Sequence, residues 1–166
     1  MATDRDNPYT PPEARLADPE NEPGSPIKAV SIGLAVDIGG SFITGFVLVF
    51  VYGVMLGASG ASAEAAASAL ANISPYSWVS IAGSIVGCGF SVLGGYLCAR
   101  IAKRSEHKLG GILATISTGI GLLLGMNRYS LLVNLILIVA TFAAVMIGVQ
   151  IGYFRNQKRA ASMALP

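Results

Sequence analysis

The chain has 166 residues, enough for one compact unit and not two. Apolar residues make up 53% of it and charged residues 12%, about half the ~25% charged fraction of a soluble domain, and a unit this small has too little interior to hide so much apolar surface from water. An ordinary soluble domain is therefore excluded, and so is a nucleic-acid partner, because the net charge is only +2 and no basic stripe carries interleaved aromatics.

Residues 1–26 differ from the rest. They hold Pro8, Pro11, Pro12, Pro19, Pro23 and Pro26, with charges scattered from Asp4 to Glu22. Proline removes helix donors, and low hydrophobicity leaves no core to offset the ordering entropy. The expectation is a disordered cytoplasmic tail. It is not a signal peptide, since the apolar sequence starts too late and runs too long.

From residue 27 to 156 the sequence predicts an all-α membrane domain of four transmembrane helices. The first span covers about 29–56, interrupted only by Asp37. It exceeds the ~20 residues that a bilayer core requires. A Gly, Ala and Ser rich segment follows. Ser62 could cap a short surface helix running to Asn72, with Pro75 ending it and Tyr76 and Trp78 as interfacial anchors. The second span covers about 78–99. It leads into a charged turn of Arg100, Lys103, Arg104, Glu106, His107 and Lys108. The third span, about 109–126, turns at Asn127 and Arg128. The fourth, about 129–154, ends at Arg155, Lys158 and Arg159, leaving residues 157–166 as a short cytoplasmic tail. Strands of a barrel are ruled out, because those are ~10 residues long and alternate apolar with polar. Backbone groups in lipid must be satisfied within each span, which leaves helix.

Four spans place the N-terminal tail, the 100–108 turn and the C-terminus on one side. That side carries Arg5, Arg15, Lys28, Arg100, Lys103, Arg104, Lys108, Arg155, Lys158 and Arg159. The opposite side carries Arg128 alone. Lys and Arg mark the cytoplasmic face, so both ends are expected inside.

Lipid is as apolar as leucine, and helices associate in it by close packing of small residues. Each span has a Gly-x-x-x-Gly: Gly53/Gly57, Gly83/Gly87, Gly121/Gly125 and Gly148/Gly152. In the second span the small face extends as Gly83, Gly87, Ser91, Gly95. This face is the expected packing seam, either within one chain or between chains.

Asp37 is the one acidic residue inside a span. An ionised Asp at mid-bilayer costs about 2.5–3.5 kcal/mol on insertion scales. It follows Lys28 by nine residues, ~13 Å of helix. Three readings are open: a charge reaching the headgroups or pairing with Arg100, a buried carboxylate that binds a proton or cation during transport, or a neutral Asp donating between helices. Tyr96, Thr115 and Gln150 fall at a similar depth and would form one polar layer with it. Asn134 reads as an interhelical donor. Glu106 and His107 diverge by ~100° on a helix and cannot face one site together, so both read as parts of a solvated cap. Glu106 there favours a helix N-terminus. Cys88 and Cys98 lie ~15 Å apart along one helix, too far for a disulfide. No Walker loop, nucleophile elbow, zinc motif or paired-carboxylate helix occurs. The expectation is a non-enzyme with no catalytic residue, cofactor or metal.

The run Gly94-Gly95-Tyr96-Leu97-Cys98-Ala99-Arg100-Ile101-Ala102-Lys103-Arg104, then His107 and Gly110-Gly111, resembles a pattern in small bacterial inner-membrane proteins of four helices. It implies a multi-pass protein of a bacterial inner membrane. The chain is also similar to small multidrug transporters, which have four helices and an acid in the first, a place that Asp37 would take. It departs from them in having Asp for Glu, a long tail and a longer outer loop. The leading functional expectation is a structural or interaction protein, or an accessory subunit, working with a membrane-protein partner or as a homo-oligomer. The alternative is a small proton- or cation-coupled transporter or channel using Asp37.

Overall fold

A computed structural model describes residues 24–125 and 129–163. Residues 1–23 of the expected tail, and the Asn127–Arg128 turn, lie outside them. Five helices follow in order: α1 (Pro26–Ala58), α2 (Ala63–Ala71), α3 (Trp78–Ala102), α4 (Glu106–Gly125) and α5 (Leu131–Met163). All but α2 are long and apolar enough to cross a membrane. The protein is an all-α polytopic membrane bundle.

Local chemistry sets the helix starts. Ser25 caps α1, accepting from the Lys28 amide at 3.5 Å, and Pro26 occupies the first turn where its missing N–H costs nothing. Ser62 caps α2 by accepting from the Ala65 amide at 3.2 Å. This short helix ends at Ala71, before Pro75, with the Asn72 side chain donating back to the Ser68 carbonyl at 3.0 Å. Ser77 caps α3 through the Ser80 amide at 3.3 Å. The turn from α3 to α4 is tight because Lys103 (φ 51°) and Ser105 (φ 56°) both take the left-handed conformation. The helix α5 runs beyond the expected fourth span. It does not stop near residue 154 but continues through the basic residues to Met163. Charge ends a membrane span. It does not end a helix, and this stretch has no proline or glycine after Gly152 to do so.

The α3 helix packs against α1, α4 and α5, while the backbones of α1 and α5 do not approach one another closely. Backbones approach at glycines. A Cβ on Gly94 would lie 2.6 Å from the Gly33 carbonyl oxygen, and one on Gly33 would lie 2.9 Å from that of Gly94. Together they bring α1 onto α3. Gly95 meets the Val145 carbonyl, and Gly148 meets the Val92 carbonyl, closing α3 on α5. Gly110 of α4 packs instead under the Val149 side chain of α5. Of the four Gly-x-x-x-Gly pairs, Gly148/Gly152 is fully used. By contrast, no atom of another element lies within 4 Å of a Cβ built on Gly57 or Gly121.

Outward faces are apolar. Phe46 is 74% exposed, Leu123 74% and Val139 67%. Only 6% of the most apolar window of α1 is buried. Surface of that kind over the whole waist of a bundle is lipid-facing surface. At one end of α1, Tyr52 meets Trp78 edge-on at 6.2 Å, ring centre to ring centre.

Candidate functional site

The close approach of Gly33 and Gly94 determines what lies one turn further along each helix. On α1 that residue is Asp37, four positions on. On α3 it is Ser91, three positions back. Residues three and four apart share a helix face, so the carboxyl and the hydroxyl are brought opposite one another. Ser91 Oγ donates to Asp37 Oδ1 at 2.7 Å. From α4, Ser117 Oγ donates to Oδ2. It lies seven residues, two turns, beyond Gly110 on the face that also buries Leu113 and Ala114. All three groups are inside the protein: Asp37 is 4% exposed, Ser91 4% and Ser117 7%.

Asp37 is thus buried between helices and held by serines, and is not paired with Arg100. Each carboxylate oxygen accepts one hydroxyl bond. A bond to a charged acceptor is worth about 1.5–3 kcal/mol, so two of them are of the size needed to offset the ~2.5–3.5 kcal/mol of inserting the ion.

The surroundings of the carboxyl differ on its two sides. Toward Arg100 the bundle is dry. Cys98, Ala99, Leu113, Ala114, Val145 and Val149 are all 0% exposed and pack together. Toward Trp78 and Tyr129 it is open. A cleft of about 210 Å³ begins at Asp37 and is lined by Ser41, Ser84, Ser91, Ser117 and Thr141. Ser84 also lines a larger cleft of about 530 Å³, which reaches Asn72, Ser74 and Tyr129 at the α2 end. Thr141 is shared with a third, of about 160 Å³, lined also by Thr118, Asn134 and Tyr129. The Thr118 hydroxyl is buried and has no partner. Ser84 and Thr141 are thus each shared by two clefts between Asp37 and the α2 end, whose walls also include the apolar Phe42, Leu124 and Leu137.

The other residues expected in one layer with Asp37 go elsewhere. Tyr96 accepts from Arg100 Nη1 at 2.8 Å and from Arg155 Nη1 at 3.1 Å. Thr115 donates to the Gly111 carbonyl of its own helix at 2.9 Å. Gln150 Oε1 meets His107 Nε2 at 2.9 Å. Depth along the bilayer does not decide facing. Tyr96 is five residues from Ser91, and Thr115 is two from Ser117, so at ~100° per residue each points well away from the carboxyl.

The expected seam divides between two neighbours. Gly83 and Gly87 face Leu48 and Ser41 of α1 at 3.6 and 3.8 Å, Ser91 binds Asp37, and Gly95 faces α5. Asn134 donates at 3.1 Å to the Tyr129 carbonyl, just before its own helix, and not across to another. Glu106 opens α4 as expected but is 8% exposed and not solvated. It accepts from Asn156 Nδ2 at 3.3 Å, which also donates to the Ala99 carbonyl at 2.9 Å. His107 meets Gln150 and stacks edge-on to Tyr153, both on α5. Both cysteines are free.

Ser117→Ala is expected to cost about 1.5 kcal/mol in a reversible unfolding titration in mixed micelles. That lies above the ~0.6 kcal/mol average of interhelical bonds in membrane proteins, because the acceptor is a carboxylate. Thr115→Ala, which removes only a bond within one helix, should change stability by a few tenths. Equal effects would mean that Ser117 does not serve the carboxyl.

Compared with family models, curated proteins and solved structures, the chain matches none.

Proposed function

We propose that this protein is a small cation-coupled transporter of a bacterial inner membrane, in which Asp37 binds and releases a proton or a sodium ion. The observation that carries this reading is a buried carboxylate bonded only to hydroxyls, with clefts on one side of it and dry packing on the other. An ionisable residue inside a membrane helix bundle is costly, and it is retained chiefly on ion or proton pathways. A carboxylate with several hydroxyl oxygens suits a hard cation. It suits a proton equally, since a serine hydroxyl can turn from donor to acceptor and satisfy its own hydrogen at the carbonyl four residues earlier.

One-sided access is what a carrier needs in one of its two states. In the orientation argued from the basic residues, the clefts face out and the dry core faces the cytoplasm. Gly33 and Gly94 then lie where α1 would have to shift against α3 to open the other side, and Gly110 lies where α4 would shift against α5. The likeness to small multidrug transporters agrees in the place of the acid. An interaction or accessory role has less to rest on, because the small-residue face of α3 is occupied by α1 and α5 of the same chain.

The test is flux. In proteoliposomes holding an internal pH dye, under an imposed pH or sodium gradient, the wild type is expected to dissipate the gradient. Asp37→Asn is expected to behave as empty vesicles. Equal rates for the two would remove Asp37 from the function.

A further inference from the structure

The geometry points to a second site, a phosphate-binding pair of guanidiniums, Arg100 and Arg155, converging on Tyr96. At Gly152 the α5 helix comes close to α3: a Cβ there would lie 2.9 Å from the Tyr96 carbonyl oxygen. Arg155 follows three residues later, on the same side of α5. Arg100 follows Tyr96 by four residues on α3. Two guanidiniums from two helices therefore converge on one phenol. Both donate to its oxygen, at 2.8 and 3.1 Å, and both lie over its ring, at 5.7 and 5.8 Å from the centroid.

This arrangement is electrostatically incomplete. The two donating nitrogens lie within about 6 Å of one another, and like charges so placed repel. Their shared acceptor is a neutral oxygen. Among the described residues neither guanidinium is paired with a carboxylate: Asp37 is held by serines, and Glu106 by Asn156. Each guanidinium has five N–H donors and spends one on Tyr96, leaving forks free for a tetrahedral oxyanion. Phosphate is the anion that such forks fit bidentately. The arginine pair lies where the apolar runs of α3 and α5 give way to basic residues, the level of lipid headgroups, and basic groups between helices at that level suit anionic headgroups. Tyr96 acts as a positioning residue, holding the two cations together. The site is independent of Asp37.

Native mass spectrometry of the full chain released from nanodiscs tests it. Phosphatidylglycerol should be retained over phosphatidylcholine by the wild type. Arg155→Gln and Arg100→Gln should each weaken that retention about tenfold or more, the scale of one lost charge-assisted contact. Arg104→Gln, which removes the same charge outside this pair, should not. Tyr96→Phe, which keeps the ring, should weaken retention with no change in charge. Competition by millimolar inorganic phosphate would assign the site to a free anion, and no competition would assign it to the lipid. Arg155 is exposed, so its substitution does not depend on refolding the core. Equal loss in all three arginine variants, or no preference for the anionic lipid, would overturn the site.

Discussion

Gly148→Ala is expected to cost about 3 kcal/mol, the upper range for forcing extra atoms into a packed interior. The new methyl would fall on the Val92 carbonyl, 2.8 Å from its carbon and 2.9 Å from the Tyr96 amide nitrogen. These are backbone atoms of a helix held on three sides, so they cannot rotate away as a side chain would. With total stabilities of about 5–15 kcal/mol, the loss would be visible as early unfolding in mixed micelles. Gly152→Ala should cost somewhat less, since the Ala99 Cβ at 2.7 Å and the Tyr96 carbonyl oxygen at 2.9 Å crowd it less than the Val92 carbonyl crowds Gly148. Gly111→Ala is the control. No atom of another element lies within 4 Å there, and alanine gains up to ~1 kcal/mol of helix propensity. A ranking of Gly148, then Gly152, then Gly111 is expected from thermal or denaturant midpoints. Similar midpoints for all three would mean that α3 and α5 do not approach backbone to backbone.

Asp37→Asn is expected to leave the bundle folded and to abolish gradient-driven flux. The two side chains have one shape. The amide oxygen still accepts from Ser91, and the amide nitrogen donates to Ser117 once that hydroxyl turns round. Asn cannot lose or gain a proton in the working range, and it offers a cation no charge. Asp37→Leu separates stability from function in the other direction. It leaves two buried hydroxyls without their acceptor, at about 1–3 kcal/mol for each that finds no carbonyl of its own helix. Leu should therefore lower the unfolding midpoint as well as flux, and Asn should lower flux alone.

The helices were legible in the sequence because lipid leaves few choices. Apolar runs of twenty or more residues must satisfy their own backbone, and Ser62 with Asn72 bounded the short helix by capping chemistry alone. The helix α5 runs past the expected end of the fourth span because Arg155, Lys158 and Arg159 mark water rather than a helix stop. The site was legible in half. Asp37 stood out as the acid inside a span, and Ser91 stood out as a member of the small face, but the two were not joined. What joined them was the Gly33–Gly94 contact, and pairing between helices far apart in sequence is not written in the periodicity of either. Ser117 was missed, although its place two turns after Gly110 put it on the packed face of its helix. Tyr96, Thr115 and Gln150 were selected by depth, which spacing from the charged ends gives. Facing requires a rotation known to better than one residue.

Infrared difference spectroscopy of the protein in lipid, with the coupling cation added and withdrawn, reads the Asp37 carboxyl without knowledge of any substrate. The expected result is a carboxyl difference band that is absent from Asp37→Asn and shifts in Ser117→Ala. If sodium is the cation, the band appears on adding sodium at constant pH. Identical difference spectra for the wild type and Asp37→Asn, with or without sodium, would contradict it.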